Sequence, residues 1–127
     1  MLYLLDANAV IEWLRGPPHV VRFFEELTPP EDVVALNAIC VAEVYSGLRQ
    51  DGRLPADRLV ASLPYWEIDE ETAKLAGDYR YKYARKARPL TVSDTLMAAH
   101  AVTKEAILIT GNTRDFPMPE LRLQSLL

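Results

Sequence analysis

Three short runs of almost wholly apolar residues are the feature that most restricts the fold of this chain. They are LYLL at Leu2–Leu5, VVAL at Val33–Leu36 and ILIT at Ile107–Thr110. The segments between them are longer and carry apolar residues at helical spacing. Short apolar runs that alternate with helices are typical of parallel strands that are covered on both faces. The sequence therefore predicts an α/β fold, a three-layer α/β/α sandwich around a parallel sheet.

Two weaker runs, Tyr65–Ile68 and Leu121–Gln124, bring the predicted sheet to roughly five strands. The predicted helical segments are Ala9–Arg15, His19–Leu27, Ala38–Gln50, Ala56–Ser62, Glu70–Lys86 and Thr91–Lys104. Asn8, Asn37 and Thr91 stand where a side chain can cap the helix that follows. No internal repeat or linker interrupts this pattern, so we expect one domain over residues 1–127.

Composition limits the possible partners and the compartment. The net charge is −4, so contact with a nucleic acid would need a local basic patch rather than an overall positive charge. Cys40 is the single cysteine, which allows no internal disulfide and fits a reducing cytoplasm. No apolar run approaches the ~18 residues that span a bilayer, and the first apolar run ends at Asp6, too early for a signal peptide.

Acidic residues follow the predicted strands, and parallel topology brings the carboxyl ends of strands to one edge of the sheet. Asp6 follows the first strand, Asp115 follows Ile107–Thr110, and Glu43 and Asp94 lie in helices next to these strands. Carboxylates placed together repel one another and need cations. Hard cations with oxygen ligands, Mg²⁺ or Mn²⁺, suit such a cluster and support phosphodiester hydrolysis.

Each acid also has a structural alternative. Asp6 could bond to turn amides, and Asp115 could serve an Asx-turn in its Asn- and Thr-rich loop. Asp94 could complete a capping box with Thr91. Glu43 lies in AICVAEVYSG, Ala38–Gly47, among apolar neighbours. We therefore expect water not to surround its carboxylate freely, although a partly exposed position or a salt bridge is an alternative.

Four segments together resemble the PIN domain, and specifically the VapC-type toxins of prokaryotic toxin–antitoxin pairs. They are YLLDANAVIEWL, AICVAEVYSG, TVSDTLMAAHA and ILITGNTRDF. The resemblance implies a metal-dependent ribonuclease. It places the acidic residues of the family at Asp6, Glu43, Asp94 and the more variable Asp115, and its supporting polar residues at Asn8, Thr110 and Asn112. The sequence departs from the family at Asn37, where many relatives have Ser or Thr, and at Gly111, where Arg or Asn is frequent.

The predicted mechanism is hydrolytic. An activated water attacks the scissile phosphorus in line, with Asp6, Glu43 and Asp94 holding Mg²⁺ or Mn²⁺ and Asp115 supporting a second ion. It needs no Ser, Cys or His nucleophile. We expect His100, in an Ala-rich helix, to serve packing or local hydrogen bonding.

The concentrated basic run lies near the end of the fifth helix. Its candidate RNA-binding residues are Arg80, Lys82, Arg85, Lys86 and Arg88, interleaved with Tyr79, Tyr81 and Tyr83. These side chains could contact phosphates and stack on bases. A solvated helix face is the alternative, with Tyr79 and Tyr83 packed on the core.

The resemblance also implies partners: an RNA substrate, a small cognate antitoxin that holds the toxin inactive, and a second copy in a homodimer. Two other classes compete with the nuclease. A catalytically silent PIN scaffold would need no acids, yet all four are present. A receiver-type phosphoacceptor domain needs paired acids after its first strand and a Lys after its last main strand. Here Asp6 stands alone and no Lys follows Ile107–Thr110.

Overall fold

A four-stranded parallel sheet forms the centre of the molecule. The structure, a computed structural model, describes residues 1–84 and 90–126. Its strands are β1 (Leu2–Leu5), β2 (Val33–Ala35), β3 (Ile107–Thr110) and β4 (Arg122–Ser125). Their order across the sheet is β2-β1-β3-β4, and every neighbouring pair is parallel. The α/β class is therefore confirmed, with β1 and β3 as the central strands.

The central strands are buried on both faces. Leu4 and Leu5 in β1, and Leu108 and Ile109 in β3, have no exposed surface. Successive side chains of a strand point to opposite faces, so burial of consecutive residues means that both faces are covered. The continuous apolar runs of the sequence reflect this two-sided burial.

Six α-helices occur in the described part of the chain. They are α1 (Ala7–Arg15), α2 (Pro18–Glu25), α3 (Ala38–Ser46), α4 (Arg53–Ser62), α5 (Glu70–Lys82) and α6 (Val92–Thr103). All six correspond to predicted segments, with shifted ends. One predicted cap is wrong: Asp6, not Asn8, caps α1, and Asn8 lies within the first turn of that helix. The helix therefore begins two residues earlier than predicted, directly at the end of β1.

The predicted strand Tyr65–Ile68 is not formed as a strand. Tyr65 makes a single parallel bridge with Leu36, beside the outer strand β2. Two backbone hydrogen bonds, from Leu36 N to Pro64 O and from Trp66 N to Leu36 O, hold the chain there. The chain continues towards α5 without further pairing, so the fifth strand is reduced to one contact at the sheet edge.

Aromatic side chains of the first two helices pack on each other and line a cleft. Trp13 of α1 and Phe24 of α2 stack with ring centroids 3.8 Å apart. They contribute to the wall of a mainly apolar cleft of about 380 Å³ that also contacts Val33, Val34 and Leu63. Within residues 1–84 and 90–126, no helix combines the length and apolar character needed to cross a bilayer.

Candidate functional site

Asp6 is fixed at the carboxyl end of β1 by contacts on both oxygens. Its Oδ1 accepts a hydrogen bond from Ala7 N at 2.9 Å, which caps α1. Its Oδ2 accepts from Thr110 Oγ1 at 2.9 Å, and its backbone N donates to Ile109 O at 3.0 Å. Asp6 therefore does bond to a turn amide, as its structural alternative describes, and this bond involves one of its two oxygens. The contact with Thr110 ties it to the neighbouring central strand as well.

Thr110 connects the ends of the two central strands. It is fully buried at the end of β3, and besides donating to Asp6 its hydroxyl oxygen accepts from Asn112 N at 3.0 Å. Asn8 Oδ1 accepts from Gly111 N at 2.9 Å and lies 3.4 Å from Thr110 Oγ1. The polar residues Asn8 and Thr110 are therefore brought together with Asp6. Asn112 joins them through its backbone.

Two of the other acids lie close enough to Asp6 to affect its ionisation, and Asp6 in turn affects that of Glu43. Burial raises the pKa of Asp6, and the negative charges of Asp94 and Asp115 raise it further. The hydrogen bonds from Thr110 and Ala7 N oppose this effect, because they favour the ionised form. Partial desolvation raises the pKa of Glu43, and the charges of Asp6 and Asp94 add to it. All four predicted acids thus interact electrostatically at one edge of the sheet.

Glu43 departs from one expectation. Its side chain is exposed, although its neighbours along the sequence are apolar. The reason is helical geometry: Cys40 and Val44 of α3 point into the core and are fully buried, whereas Ala42 and Glu43 lie on the outer side of the helix. Glu43 is therefore an exposed acid at the rim of the site, as its alternative of a partly exposed position described, and of the expected shielding only the partial desolvation that raises its pKa is present.

Asp94 lies in the first turn of α6, and Asp115 lies in the loop that follows β3. Thr91 caps α6 by accepting from Asp94 N at 3.0 Å. The reciprocal bond of a capping box, from Thr91 N to the Asp94 carboxylate, is not formed among the described residues, so capping does not occupy that carboxylate. Asp115 ends a short 3₁₀ turn, Thr113–Asp115, and its N donates to Asn112 O.

The donor set suits a hard divalent cation by its chemistry. Carboxylate and amide oxygens are the ligands that Mg²⁺ and Mn²⁺ prefer. In the part of the chain that the structure describes, no cationic side chain lowers the pKa of Asp6 or Glu43. The same residues contain no group of three or more His, Cys, Asp or Glu side chains close enough to hold a metal ion together. Asp6 and Glu43 therefore face other carboxylates with no cationic side chain among the described residues to lower their pKa, and the acids do not form a closed ligand set.

The hydroxyl of Thr110 gives a first prediction. Thr110→Val keeps the volume but removes the donor to Asp6 and the acceptor of Asn112 N. We expect the free energy of unfolding to fall by ~1–3 kcal/mol, because the partly buried Asp6 carboxylate loses a donor and Asn112 N loses its acceptor. The pKa of Asp6 should rise further. Denaturant unfolding and NMR titration measure both effects, and Thr110→Ser is the matched control. Unchanged values in Thr110→Val would contradict the role given to this hydroxyl.

A buried pair of polar side chains was not foreseen from the sequence. Asn37 caps α3 as predicted, with Oδ1 accepting from Cys40 N at 2.9 Å. Its Nδ2 lies 2.9 Å from His100 Nδ1 on α6. The sequence assigned His100 to packing or local hydrogen bonding, which is confirmed. A signal was present, since each is a polar residue in an otherwise apolar segment, but nothing in the sequence paired them.

The candidate RNA-binding residues fall into two groups. Arg85, Lys86 and Arg88 lie outside the described residues. Arg80 and Lys82 are exposed on α5, where Arg80 Nε donates to Leu90 O at 3.3 Å and Lys82 Nζ lies 5.6 Å from the Tyr83 ring centroid. Tyr79 and Tyr83 are buried, as the packing alternative predicted, while Tyr81 is 89% exposed.

Known proteins give the site a family context. The family model for the PIN domain matches residues 3–118. Ribonuclease VapC10 of Mycobacterium tuberculosis is 30% identical over 119 residues, covering 94% of this chain and 89% of the relative. Ribonuclease VapC19 of the same species is 27% identical over 120 residues, covering 94% and 96%.

Solved structures of VapBC complexes have the same fold as this chain. The crystal structure of VapBC2 from Rickettsia felis, bound to a DNA fragment from its promoter, superposes with a TM-score of 0.87. It is 23% identical and covers 98% of both chains. Its fold is therefore the fold of this chain. On the family match and the 30% relative, the chain belongs to the PIN-domain family, among the VapC-type ribonucleases.

Proposed function

We propose that this protein is a metal-dependent endoribonuclease, the toxin of a toxin–antitoxin pair. The observation that carries the proposal is the edge where β1 and β3 end. There Asp6 is held by Thr110 and by Ala7 N, and the charges of Asp94 and Asp115 raise its pKa. A carboxylate that only caps a helix needs no other acids beside it, whereas Asp6 has two. Acids gathered at the carboxyl ends of parallel strands are suited to a cation-dependent site.

Asp6, Glu43 and Asp94 would hold Mg²⁺ or Mn²⁺, with Asp115 supporting a second ion. A bound divalent cation supplies charge stabilisation and water activation for phosphodiester hydrolysis. The chain's own residues orient the site: Thr110 fixes one oxygen of Asp6, Ala7 N fixes the other, and Gly111 N fixes the Asn8 amide. With Asn8 Oδ1 occupied in this way, its amide Nδ2 is left as a donor for a phosphate oxygen. Asn112 flanks the same site.

RNA would approach over the basic end of α5. Arg80 and Lys82 are exposed there and precede the candidate residues Arg85, Lys86 and Arg88. Phosphate contacts by such side chains supply most of the sequence-independent affinity for nucleic acids. The exposed ring of Tyr81 is available to stack on an unpaired base.

Lys82→Glu tests this surface. We expect RNA binding to weaken and the salt dependence of the binding constant to fall by about one unit of slope, because one phosphate contact is lost. The matched control is Lys74→Glu, which makes the same charge change on the same helix, at an exposed Lys paired with Glu70 at 2.9 Å. Filter-binding titrations at several salt concentrations measure both. Equal effects of the two substitutions would favour a solvated helix face.

The partners of the proposed toxin follow from its relatives. The solved relative from Rickettsia felis is a VapBC complex bound to promoter DNA. By analogy we propose that a small DNA-binding antitoxin, encoded next to this chain, holds it inactive, and that the toxin forms a homodimer. It would act in the cytoplasm as a single domain over residues 1–127. Co-expression with the adjacent small protein should suppress the growth arrest that the toxin causes alone.

Mapping RNA 5′ ends tests the proposed activity directly. Brief expression of the wild type should create new 5′ ends at a defined set of sites, and Asp6→Asn, expressed at the same level, should create none. The purified wild type should reproduce the cuts only with Mg²⁺ or Mn²⁺. New ends that are independent of Asp6 would contradict the assigned site, and the absence of any cleavage would favour a catalytically silent PIN scaffold.

A further inference from the structure

The side chains of Asn37 and His100 form a buried hydrogen bond between two helices that carry acids of the site. Asn37 begins α3, which carries Glu43, and His100 lies on α6, which carries Asp94. Both side chains have no exposed surface, and Asn37 Nδ2 lies 2.9 Å from His100 Nδ1. A buried polar pair constrains geometry more than an apolar contact does, because separation leaves both groups without partners.

The direction of this hydrogen bond follows from the cap of α3. Cys40 N needs an acceptor, so the Asn37 amide must place Oδ1 towards it, at 2.9 Å. The amide nitrogen then faces His100, and Nδ1 must be the acceptor. The ring is accordingly neutral, with its proton on Nε2. Burial lowers the pKa of His100, and the Lys104 charge lowers it further. The Glu67 backbone and Asp69 have weaker effects in the opposite direction, so the neutral form of the ring is favoured.

The residue type at position 37 suits the two hydrogen bonds that its side chain makes, one with Cys40 N and one with the His100 ring. A Ser or Thr cap could accept from Cys40 N but is too short to keep that bond and also reach a ring on α6. An Asp cap has no donor for Nδ1. Among the common caps only Asn accepts with one atom and donates with the other. The ring of Trp66 packs at 75° to the imidazole, with centroids 6.1 Å apart, and the Glu67 backbone lies near enough to affect the pKa of the ring. The side-chain hydrogen bond that orients the ring is the one from Asn37.

We propose that Asn37 and His100 are positioning residues of the site: their hydrogen bond fixes α3 against α6 and so sets the separation of Glu43 and Asp94. This inference rests on the proposed function, because it assigns those two acids to one cation site. Groups that orient ligands typically change metal affinity by ~10–100-fold when they are removed. Disruption of the pair should therefore weaken cation binding while the fold is kept.

Mn²⁺ affinity, measured by calorimetry on folded protein, tests the proposal. We expect His100→Leu and Asn37→Ser each to weaken Mn²⁺ binding by about tenfold, and the double variant to be no worse than either, since both remove one contact. His100→Asn should restore affinity to within about threefold of the wild type, because its Oδ1 can take the position of Nδ1. Asn37→Ser keeps the cap of α3 and decides the question if His100→Leu does not fold.

Val20→Ala is the control for general destabilisation, because Val20 is fully buried in α2, outside α3 and α6. It should lower the melting temperature and leave Mn²⁺ affinity unchanged. A loss of affinity in Val20→Ala equal to that in His100→Leu would overturn the proposal, and so would wild-type affinity in folded His100→Leu or Asn37→Ser.

Nitrogen NMR of the His100 ring gives a readout that does not depend on metal. At pH 7 we expect the neutral tautomer with the proton on Nε2, and a proton on Nδ1 would overturn the proposal. A wild type that binds Mn²⁺ but cleaves no RNA would contradict the proposed function while the affinities still decide the role of the pair. A wild type that binds no Mn²⁺ would overturn both.

Discussion

Asp6→Asn is expected to lower kcat/KM for RNA cleavage by at least about a hundredfold and, in metal-free protein, to raise the melting temperature. The loss of activity follows from removal of a charge that the proposed reaction requires at its centre. The gain in stability follows from the raised pKa of Asp6, which burial causes and Asp94 and Asp115 increase. A residue that improves function at the expense of stability is typical of an active site.

The pH dependence of this gain has a definite sign. The unfolded pKa of Asp6 is near 3.8 and its folded pKa is higher. Between the two values the folded state binds more protons than the unfolded state, so stability falls as pH rises through this window. Above the folded pKa the full penalty is present. The difference in stability between Asp6→Asn and the wild type should therefore be largest at neutral pH and should decrease towards pH 4.

Thermal unfolding from pH 4 to pH 8 measures the effect. We expect a rise of a few degrees at pH 7, the equivalent of ~1 kcal/mol in a domain of this size. Asp78→Asn, at an exposed acid of α5, is the control for a general loss of negative charge. Equal gains in both variants would attribute the effect to net charge, and a less stable Asp6→Asn would show that the Thr110 hydrogen bond outweighs burial and repulsion.

The sequence predicts the parts of this fold that depend on two-sided burial. LYLL and ILIT became β1 and β3 with the predicted bounds, because strands in the centre of a sheet are covered on both faces and so consist mainly of apolar residues. Tyr65–Ile68 has strand-forming residues, but it lies at the edge of the sheet beyond β2. There pairing depends on the path of the chain, which local composition does not encode.

The candidate site was predictable in its chemistry and less so in its geometry. Parallel topology sufficed to bring Asp6 towards Asp94 and Asp115. The exposure of Glu43 depends on the rotation of α3, and four apolar neighbours gave a misleading impression of burial. The bond from Asn37 to His100 spans 63 positions of the sequence. Such contacts are set by how helices pack, so each residue could be interpreted only within its own segment.

Mn²⁺ or Mg²⁺ should raise the melting temperature of the wild type by about 10 °C at a concentration of 100 times the dissociation constant. Selective binding to the folded state contributes ~2.7 kcal/mol under that condition, and each kcal/mol shifts the midpoint by ~3–5 °C in a domain of this size. The physical source is the crowding of carboxylates at Asp6 and Glu43, whose raised pKa values reflect desolvation and the charges of neighbouring acids. A divalent cation relieves the repulsion only when the carboxylates are ionised.

The metal-dependent shift in melting temperature should therefore weaken as pH falls. The weakening should begin at a higher pH than it would for ordinary carboxylates, since protons compete for groups whose pKa is raised. Scans with MnCl₂, with KCl of equal ionic strength, and with MnCl₂ followed by a chelator separate specific binding from screening. Asp6→Asn should lose most of the shift, while Asp78→Asn should keep it. A full shift in Asp6→Asn would mean that the ion binds elsewhere on this acidic protein, and it would contradict a site built on Asp6, Glu43 and Asp94.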